Sequence, residues 1–509
     1  MAATLADPKP RWFNLQGLSI FRLNLLPETG TNRIVAGKQS QSGSLIPLRQ
    51  RAFARVDIAS LVFFRVAFGL LLAWQVWRFF YLGWNGYFWL EPSFLFKYYG
   101  FSWVRPWPGS GLYIHVAVLG VLALFMAAGF LYRSSTALFF IGWTYLFLLD
   151  EAQWRNHTYL ISLFSFLLIL VPANSAFAID SWLRPRIRAE TTPAWTIWIL
   201  RVQMGVVYFF SGVAKISPDW LHAEPMRVWL ALSGLPPAID HFLKQPPVYY
   251  AFAYTALVFD LFVVAFLLWR RTRVAAFWTA VVFHLINARL FPLEVFPWLS
   301  IAATTMFLSP DWPRRVWSAL GSRKMALQPD RTQISPTAQR VTLTLLSLYV
   351  AVQVLVPLRH FLYHGGVEWW YSEHRFSWRM LIQRPWTQCY FYVTDPNTGA
   401  TAQVRPIEHL SPWQAEELGF RPDMIVQFAK YLAESFPCFG PKPVRVEARV
   451  SVSINGRKPQ LFIDPTVDLA AEKRMLGRPR CLLEIHEPLP KRRAGPKENP
   501  FEEHLAGFD

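Results

Sequence analysis

The sequence predicts an all-α polytopic membrane domain of about nine transmembrane helices, followed by a small extracytoplasmic α+β domain. Three observations predict it. Of 509 residues, 53% are hydrophobic and only 17% charged, whereas soluble domains average about 25% charged residues. Apolar runs close to bilayer-spanning length recur as far as residue 361. From Thr387 onward the pattern changes to short alternating stretches separated by turn residues.

The amino-terminal segment, 1–54, shows no cleavable signal, because Arg11 and Arg22 interrupt any apolar core. The domain at 55–361 holds nine apolar runs, at 58–80, 111–131, 134–150, 157–174, 195–216, 249–269, 273–290, 293–308 and 340–361. With the amino terminus inside, the inner segments carry roughly three times as many basic residues as the outer connections, a positive-inside bias. Arg184, Arg186, Arg188, Arg270, Arg271, Arg273, Arg314 and Arg315 all fall inside. The net charge of +18 is thus topological; no basic stripe gathers on a soluble face, and no nucleic-acid partner is expected. Nine spans place the carboxyl-terminal part outside.

That outer domain, 362–487, opens with a hairpin: Gln388–Val393 and Ala400–Val404 flank Asp395-Pro396-Asn397-Thr398-Gly399. Ser411-Pro412 starts a helix, and a second covers about 422–436. Val444–Ile454 alternates, and Asn455-Gly456 turns it into Leu461–Asp464. The tail, 488–509, is charged and proline-rich and reads as disordered. Cys389, Cys438 and Cys481 all lie outside the membrane, where one disulfide or three free thiols are both open.

Lys215 stands out near the end of the fifth run. An ammonium at membrane depth costs roughly 2.5 kcal/mol or more unless it snorkels, pairs or loses its proton. Arg201, Tyr208, Ser211 and Lys215 share one helical stripe, either lining a cavity or packing as polar glue between helices. Asp260 and Arg65 are candidate partners. Topology sets Lys215 level with Asn156-His157 and, on the seventh run, with His284 and Asn287. His360, His364 and Glu368 have metal-ligand spacing, but Gly365-Gly366 breaks the helix between them, so no metal is expected.

Several segments in this order resemble the vitamin K-dependent γ-glutamyl carboxylase family, within the group sharing the horizontally transferred transmembrane (HTTM) domain. They are Phe147–Asp150 with Trp154–Leu160, Val207–Lys215 with Asp219-Trp220, Phe283-His284 with Asn287, and Ser309–Pro313. Outside the membrane, His374–Met380, Val450–Asn455 and Phe462–Asp468 continue the match. The resemblance implies an enzyme that oxygenates reduced vitamin K (the hydroquinone) with O2 and adds CO2 to glutamyl side chains of a peptide or protein. It implies Lys215 as the base toward the quinol and His157, beside Asn156, as support for the oxygenated species. Tyr208, Ser211, Arg201, His284 and Asn287 would line the quinol pocket, and Trp378, His374 and Arg379 would serve the glutamate. A glutamyl γ-proton is too weakly acidic for a side-chain base, so the reaction needs a dry site and a lysine neutral at working pH.

The chain departs from the animal pattern. No cysteine precedes residue 389, the outer domain is short, and Ala214 stands where animal enzymes have a second lysine. These differences favour a bacterial cell membrane over the endoplasmic reticulum. Two other readings stay open: a quinol epoxidase without carboxylation, and a non-catalytic quinone or lipid binder or transporter.

Overall fold

A computed structural model describes residues 47–232, 234–320, 334–362, 374–436, 442–474 and 479–489, apart from the His360 side chain. The amino-terminal 1–46, Cys438, His364, Glu368 and nearly all of the 488–509 tail lie outside the described residues.

A short helix α1 (Leu48–Phe53) and strand β1 (Arg55–Asp57) lead into α2 (Ala59–Tyr81), followed by a π-helical turn at Gly86–Leu90. Then come α3 (Gly111–Ala128), α4 (Tyr132–Leu149), α5 (Asn156–Leu170), the short α6 (Ile179–Leu183), and β2 (Thr191–Pro193), which pairs antiparallel with β1. The central helix α7 (Trp195–Ala214) precedes three short helices, α8 (Pro218–Leu221), α9 (Glu224–Ala231) and α10 (Pro237–Leu243). The membrane part closes with α11 (Pro246–Leu268), α12 (Arg273–Leu290), α13 (Phe296–Thr304), α14 (Trp312–Ala319) and α15 (Pro336–Leu358).

Each of the nine apolar runs is helical, but five helices, α2, α3, α7, α11 and α15, are long and apolar enough to cross a membrane. Helices α5 and α13 are shorter than a crossing needs, and α4 and α12 carry Arg133 or Arg273 and Arg289 within barely sufficient length. The five differ in burial. Within its most apolar window α7 is 72% buried and α15 only 11%, so α7 lies inside the bundle and α15 is largely exposed on its flank. Helix α3 ends where Gly129 adopts φ +65°, with Phe130 N–H returning to the Phe125 carbonyl, the left-handed cap that glycine permits.

The carboxyl-terminal domain, called outer after its expected topology, has one antiparallel sheet in the order β4-β3-β5-β6, with β3 Pro385–Thr394, β4 Thr401–Val404, β5 Arg445–Ile454 and β6 Gln460–Leu461. Helices α16 (Pro412–Leu418) and α17 (Pro422–Ser435) follow β4 in sequence, and α17 supplies much of the core. The alternation in β5 puts Val446, Ala448, Val450 and Val452 against Phe428 and Leu432 of α17. Strand β6 is shorter than its sequence pattern predicts, because Ile463 leaves the ladder to bridge Leu482. Phe96 and Ala152, from loops of the membrane part, belong to this same core. Cys389 and Cys481 are free thiols.

Candidate functional site

Helices α7 and α11 touch through Gly212. A Cβ there would lie 2.9 Å from the Leu261 backbone nitrogen and 2.8 Å from its side chain, so only a bare backbone permits this approach. The contact brings Lys215 beside Asp260. Lys215 Nζ, in a residue only 4% exposed, donates to Asp260 Oδ2 at 2.7 Å and to Ser211 Oγ at 2.8 Å. Ser211 Oγ donates to the same Oδ2 at 2.7 Å, and the ammonium lies 5.1 Å from the centre of the Trp220 ring. The lysine is therefore paired with Asp260, one of the two candidate partners named from the sequence. A buried charge is tolerable when an opposite charge and hydrogen bonds accompany it, and here both do.

The stripe on α7 divides in three. One turn below Ser211, Tyr208 Oη meets His284 Nε2 at 2.7 Å and Thr304 Oγ1 at 3.2 Å. His284 is 1% exposed, and its Nδ1 has no hydrogen-bond partner among the described residues. Arg201 does not join the Lys215 cluster: it donates to the carbonyls of Met306 at 2.7 Å and Leu308 at 3.1 Å. Arg65 is likewise no partner of the stripe, since its guanidinium binds the carbonyls of Ala173, Ala176 and Phe177. Both arginines cap chain segments leaving the bundle, where backbone carbonyls lack helical partners. Asn287 is half-buried and makes no side-chain hydrogen bond among the described residues.

His157, in the first turn of α5, lines a separate, partly open cleft. Phe79, Phe88, Trp89, Trp143 and Phe147 form its aromatic walls; Gln75, Gln153, Arg155, Thr158 and Glu294 supply polar groups. Glu294 Oε2 is 3.5 Å from His157 Nε2. Trp89 Nε1 and Gln153 Nε2, both lining it, and the neighbouring Asn156 Oδ1 have no hydrogen-bond partner among the described residues. No hydrogen bond joins His157 to Lys215 among those residues. The link is indirect, through α13: the His284 ring packs on Phe296, two residues beyond Glu294.

The outer domain reaches both clusters. Its Asn455-Gly456 turn sits on the loop after Lys215, where Arg457 grips Asp219 with two hydrogen bonds of 2.6 and 2.7 Å and Asn455 Nδ2 adds a third at 2.7 Å. Asparagine suits this turn because its φ is +54°. Near α5, the Glu151 carboxylate receives Arg375, Arg474 and Gln427. Burial pushes the Glu151 carboxyl up, to about 8, against the pull of Arg375. Trp378, fully buried, stacks on Tyr159 with ring centres 5.1 Å apart; His374 is buried and Arg379 half-buried beside it. Phe376, Trp378 and Leu381 all have φ near +60°, a strained conformation for bulky residues.

Sequence reasoning missed Glu294, Trp89, Gln153 and Arg457. An acid inside an otherwise apolar stretch was the available signal for Glu294. Among the described residues no three His, Cys, Asp or Glu side chains converge as a metal site. Family comparisons give two matches: the HTTM domain over residues 53–312, and the vitamin K-dependent gamma-carboxylase lumenal domain over residues 338–487. No solved structure matches the chain.

Proposed function

Since the chain belongs to the vitamin K-dependent gamma-carboxylase family of HTTM-domain membrane proteins, we propose that it couples oxygenation of reduced vitamin K to carboxylation of glutamyl side chains. The reading includes nine spans with the amino terminus inside, the outer domain outside, and a bacterial cell membrane as host. The observation that carries it is the buried Lys215–Ser211–Asp260 network in a chain of this family.

Oxygenation of the bound hydroquinone by O2 supplies a base strong enough to remove the glutamyl γ-proton, after which CO2 adds to the carbanion. The residues of this chain fit such a co-substrate. A planar aromatic headgroup matches the aromatic walls of the His157 cleft, and its oxygens match the unpartnered donors Trp89 Nε1 and Gln153 Nε2. Lys215 is the base toward a quinol hydroxyl. To accept that proton it first passes its own to Asp260, 2.7 Å away, and Ser211 holds both groups in line. His157 donates to the oxygen that becomes anionic. Tyr208, His284 and Thr304 brace the floor between α7 and α13, while the burial of the whole cluster excludes water.

One observation favours a second reading, quinol epoxidation without protein carboxylation. Trp378, offered as a glutamate contact, is fully buried against Tyr159 and reaches a peptide only if the strained 374–381 segment moves. Membranes carrying the wild type or Lys215→Ala, given reduced vitamin K, a glutamate peptide and labelled CO2, separate the readings. Carboxylase activity yields epoxide and fixed label together; epoxide alone selects the second reading. Wild-type membranes that form neither product refute both, and equal products from Lys215→Ala refute the role of the lysine.

A further inference from the structure

At the end of the bundle away from Lys215, two chain segments lock into one corner that presents apolar side chains outward. Helix α7 runs from Trp195 to Ala214, the residue before Lys215. Its two ends lie about 30 Å apart at about 1.5 Å per residue, close to the thickness of a bilayer's hydrocarbon core. The corner is made of the α3–α4 turn and residues 176–188, a few positions before α7. Asp180 accepts from the backbone N–H groups of Leu131 and Tyr132, both at 2.9 Å, and its own N–H donates to the Gly129 carbonyl at 2.9 Å. This acid is buried and engaged by the first turn of α4.

Two bulky residues of the corner hold a backbone conformation suited to glycine. Leu131 has φ +43° and Phe177 φ +44°, and the buried Arg65 fixes the Phe177 carbonyl. A corner facing water would carry glycine or asparagine at such positions. Both side chains are instead exposed, Phe177 by 83%, together with Trp182, by 79%, and Leu183 of α6. Directly after them, Arg184, Arg186 and Arg188 occupy a 3-10 turn, Pro185–Ile187, and its flanking positions. All three are exposed, and their guanidinium groups make no hydrogen bond or ion pair among the described residues.

Exposed aromatic rings followed by unpaired guanidinium groups match the boundary between acyl chains and phosphates. We propose that α6 and the α3–α4 corner form a binding site for an anionic phospholipid, with the three arginines on its headgroup and Phe177, Trp182 and Leu183 among its acyl chains. Charge argues against the chain's own segments as the occupant. Residues 1–46 carry Lys9, Arg11, Arg22, Arg33 and Lys38 against Asp7 and Glu28, and residues 321–333 carry Arg323, Lys324 and Arg331 against Asp330. The arginines would repel both. The inference does not depend on the reaction proposed above.

The test titrates delipidated full-length protein with phosphatidylglycerol or phosphatidylcholine and counts bound lipid by native mass spectrometry. Wild type takes phosphatidylglycerol at least about tenfold more tightly. Arg184→Gln, Arg186→Gln and Arg188→Gln each weaken that binding about fivefold, and together about a hundredfold. Phosphatidylcholine binding and the melting temperature stay unchanged, since these guanidinium groups hold no contact in the fold. Phe177→Ser with Trp182→Ser weakens binding of both lipids. Arg270→Gln with Arg271→Gln, an exposed pair between α11 and α12, leaves phosphatidylglycerol binding within about twofold. Equal affinity for the two lipids, or no loss in the triple variant, overturns the proposal. So does an equal loss in the Arg270 and Arg271 variant, which would reduce the site to diffuse charge. Displacement of the lipid by millimolar inorganic phosphate also overturns it, as does a synthetic peptide of residues 1–46 that binds the lipid-free protein but not the triple variant.

Discussion

The Lys215 cluster and the His157 cleft sit on neighbouring helices and are built on opposite principles. Around Lys215 the amine is matched: Ser211 and Asp260 receive it, and Trp220 covers it. Around His157 donors outnumber partners, and Trp89 Nε1 and Gln153 Nε2 stand unsatisfied in an aromatic cleft. An unmet buried donor costs roughly 1–3 kcal/mol, which a fold accepts where a ligand oxygen is to be recognised. The difference teaches that, in the proposed reaction, recognition and proton transfer fall to different clusters. In that reading the cleft recognises the headgroup, and the Lys215 cluster takes up the proton of a quinol hydroxyl that comes within reach.

Four experiments break or sharpen that contrast. The largest effect is on chemistry: Lys215→Ala lowers the rate of epoxide formation by about 10²–10⁴-fold, the usual contribution of a general base, read as product per enzyme under saturating quinol. Next is stability. Asp260→Asn leaves a buried ammonium without its counter-charge and costs about 3–5 kcal/mol, whereas Glu294→Gln, breaking a partly exposed pair, costs under about 1 kcal/mol. Thermal unfolding in detergent compares the two, and equal losses would erase the distinction between closed and open clusters. Third, Gly212→Ala forces α7 and α11 apart at the Leu261 backbone and destabilises by about 1–3 kcal/mol. Its loss of epoxidation exceeds what reduced folding explains, because Lys215 and Asp260 separate. The smallest effect tests the cleft. Gln153→Leu removes an unpartnered donor, leaves the melting temperature unchanged or raised, and raises the quinol KM about two- to tenfold, the worth of one hydrogen bond.

Much of this architecture was legible because hydrophobic period and length are local properties. Every apolar run became a helix, and the spacing of Tyr208, Ser211 and Lys215 placed them on one face, with Asp260 as partner. The same period misled at Arg201, which shares the stripe by angle but sits about 21 Å below Lys215 at about 1.5 Å per residue. Its partners are the carbonyls of Met306 and Leu308, and no side-chain pattern reveals which carbonyls a helix end leaves open. Glu294 escaped because residues 293–308 read as one apolar span, whereas the helix starts at Phe296 and frees the preceding residues to bend toward α5. The contacts of Asp219 with Arg457, and of Glu151 with Arg375, join segments more than two hundred residues apart, and pattern along a chain carries no record of such pairs.

The Asp219–Arg457 grip also sets an order on biogenesis. The two residues are 238 positions apart, so translation delivers Lys215, its helix and Asp260 well before the cation that secures the adjoining loop. Until the β5–β6 hairpin has been made and folded, Asp219 lacks its counter-charge and the turn carrying Trp220 is untethered. A chain arrested or clipped before Arg457 therefore lacks the contact that tethers the turn after Lys215. The carboxyl-terminal domain thus contributes to the membrane part a contact that exists only once the chain has been synthesised past Arg457.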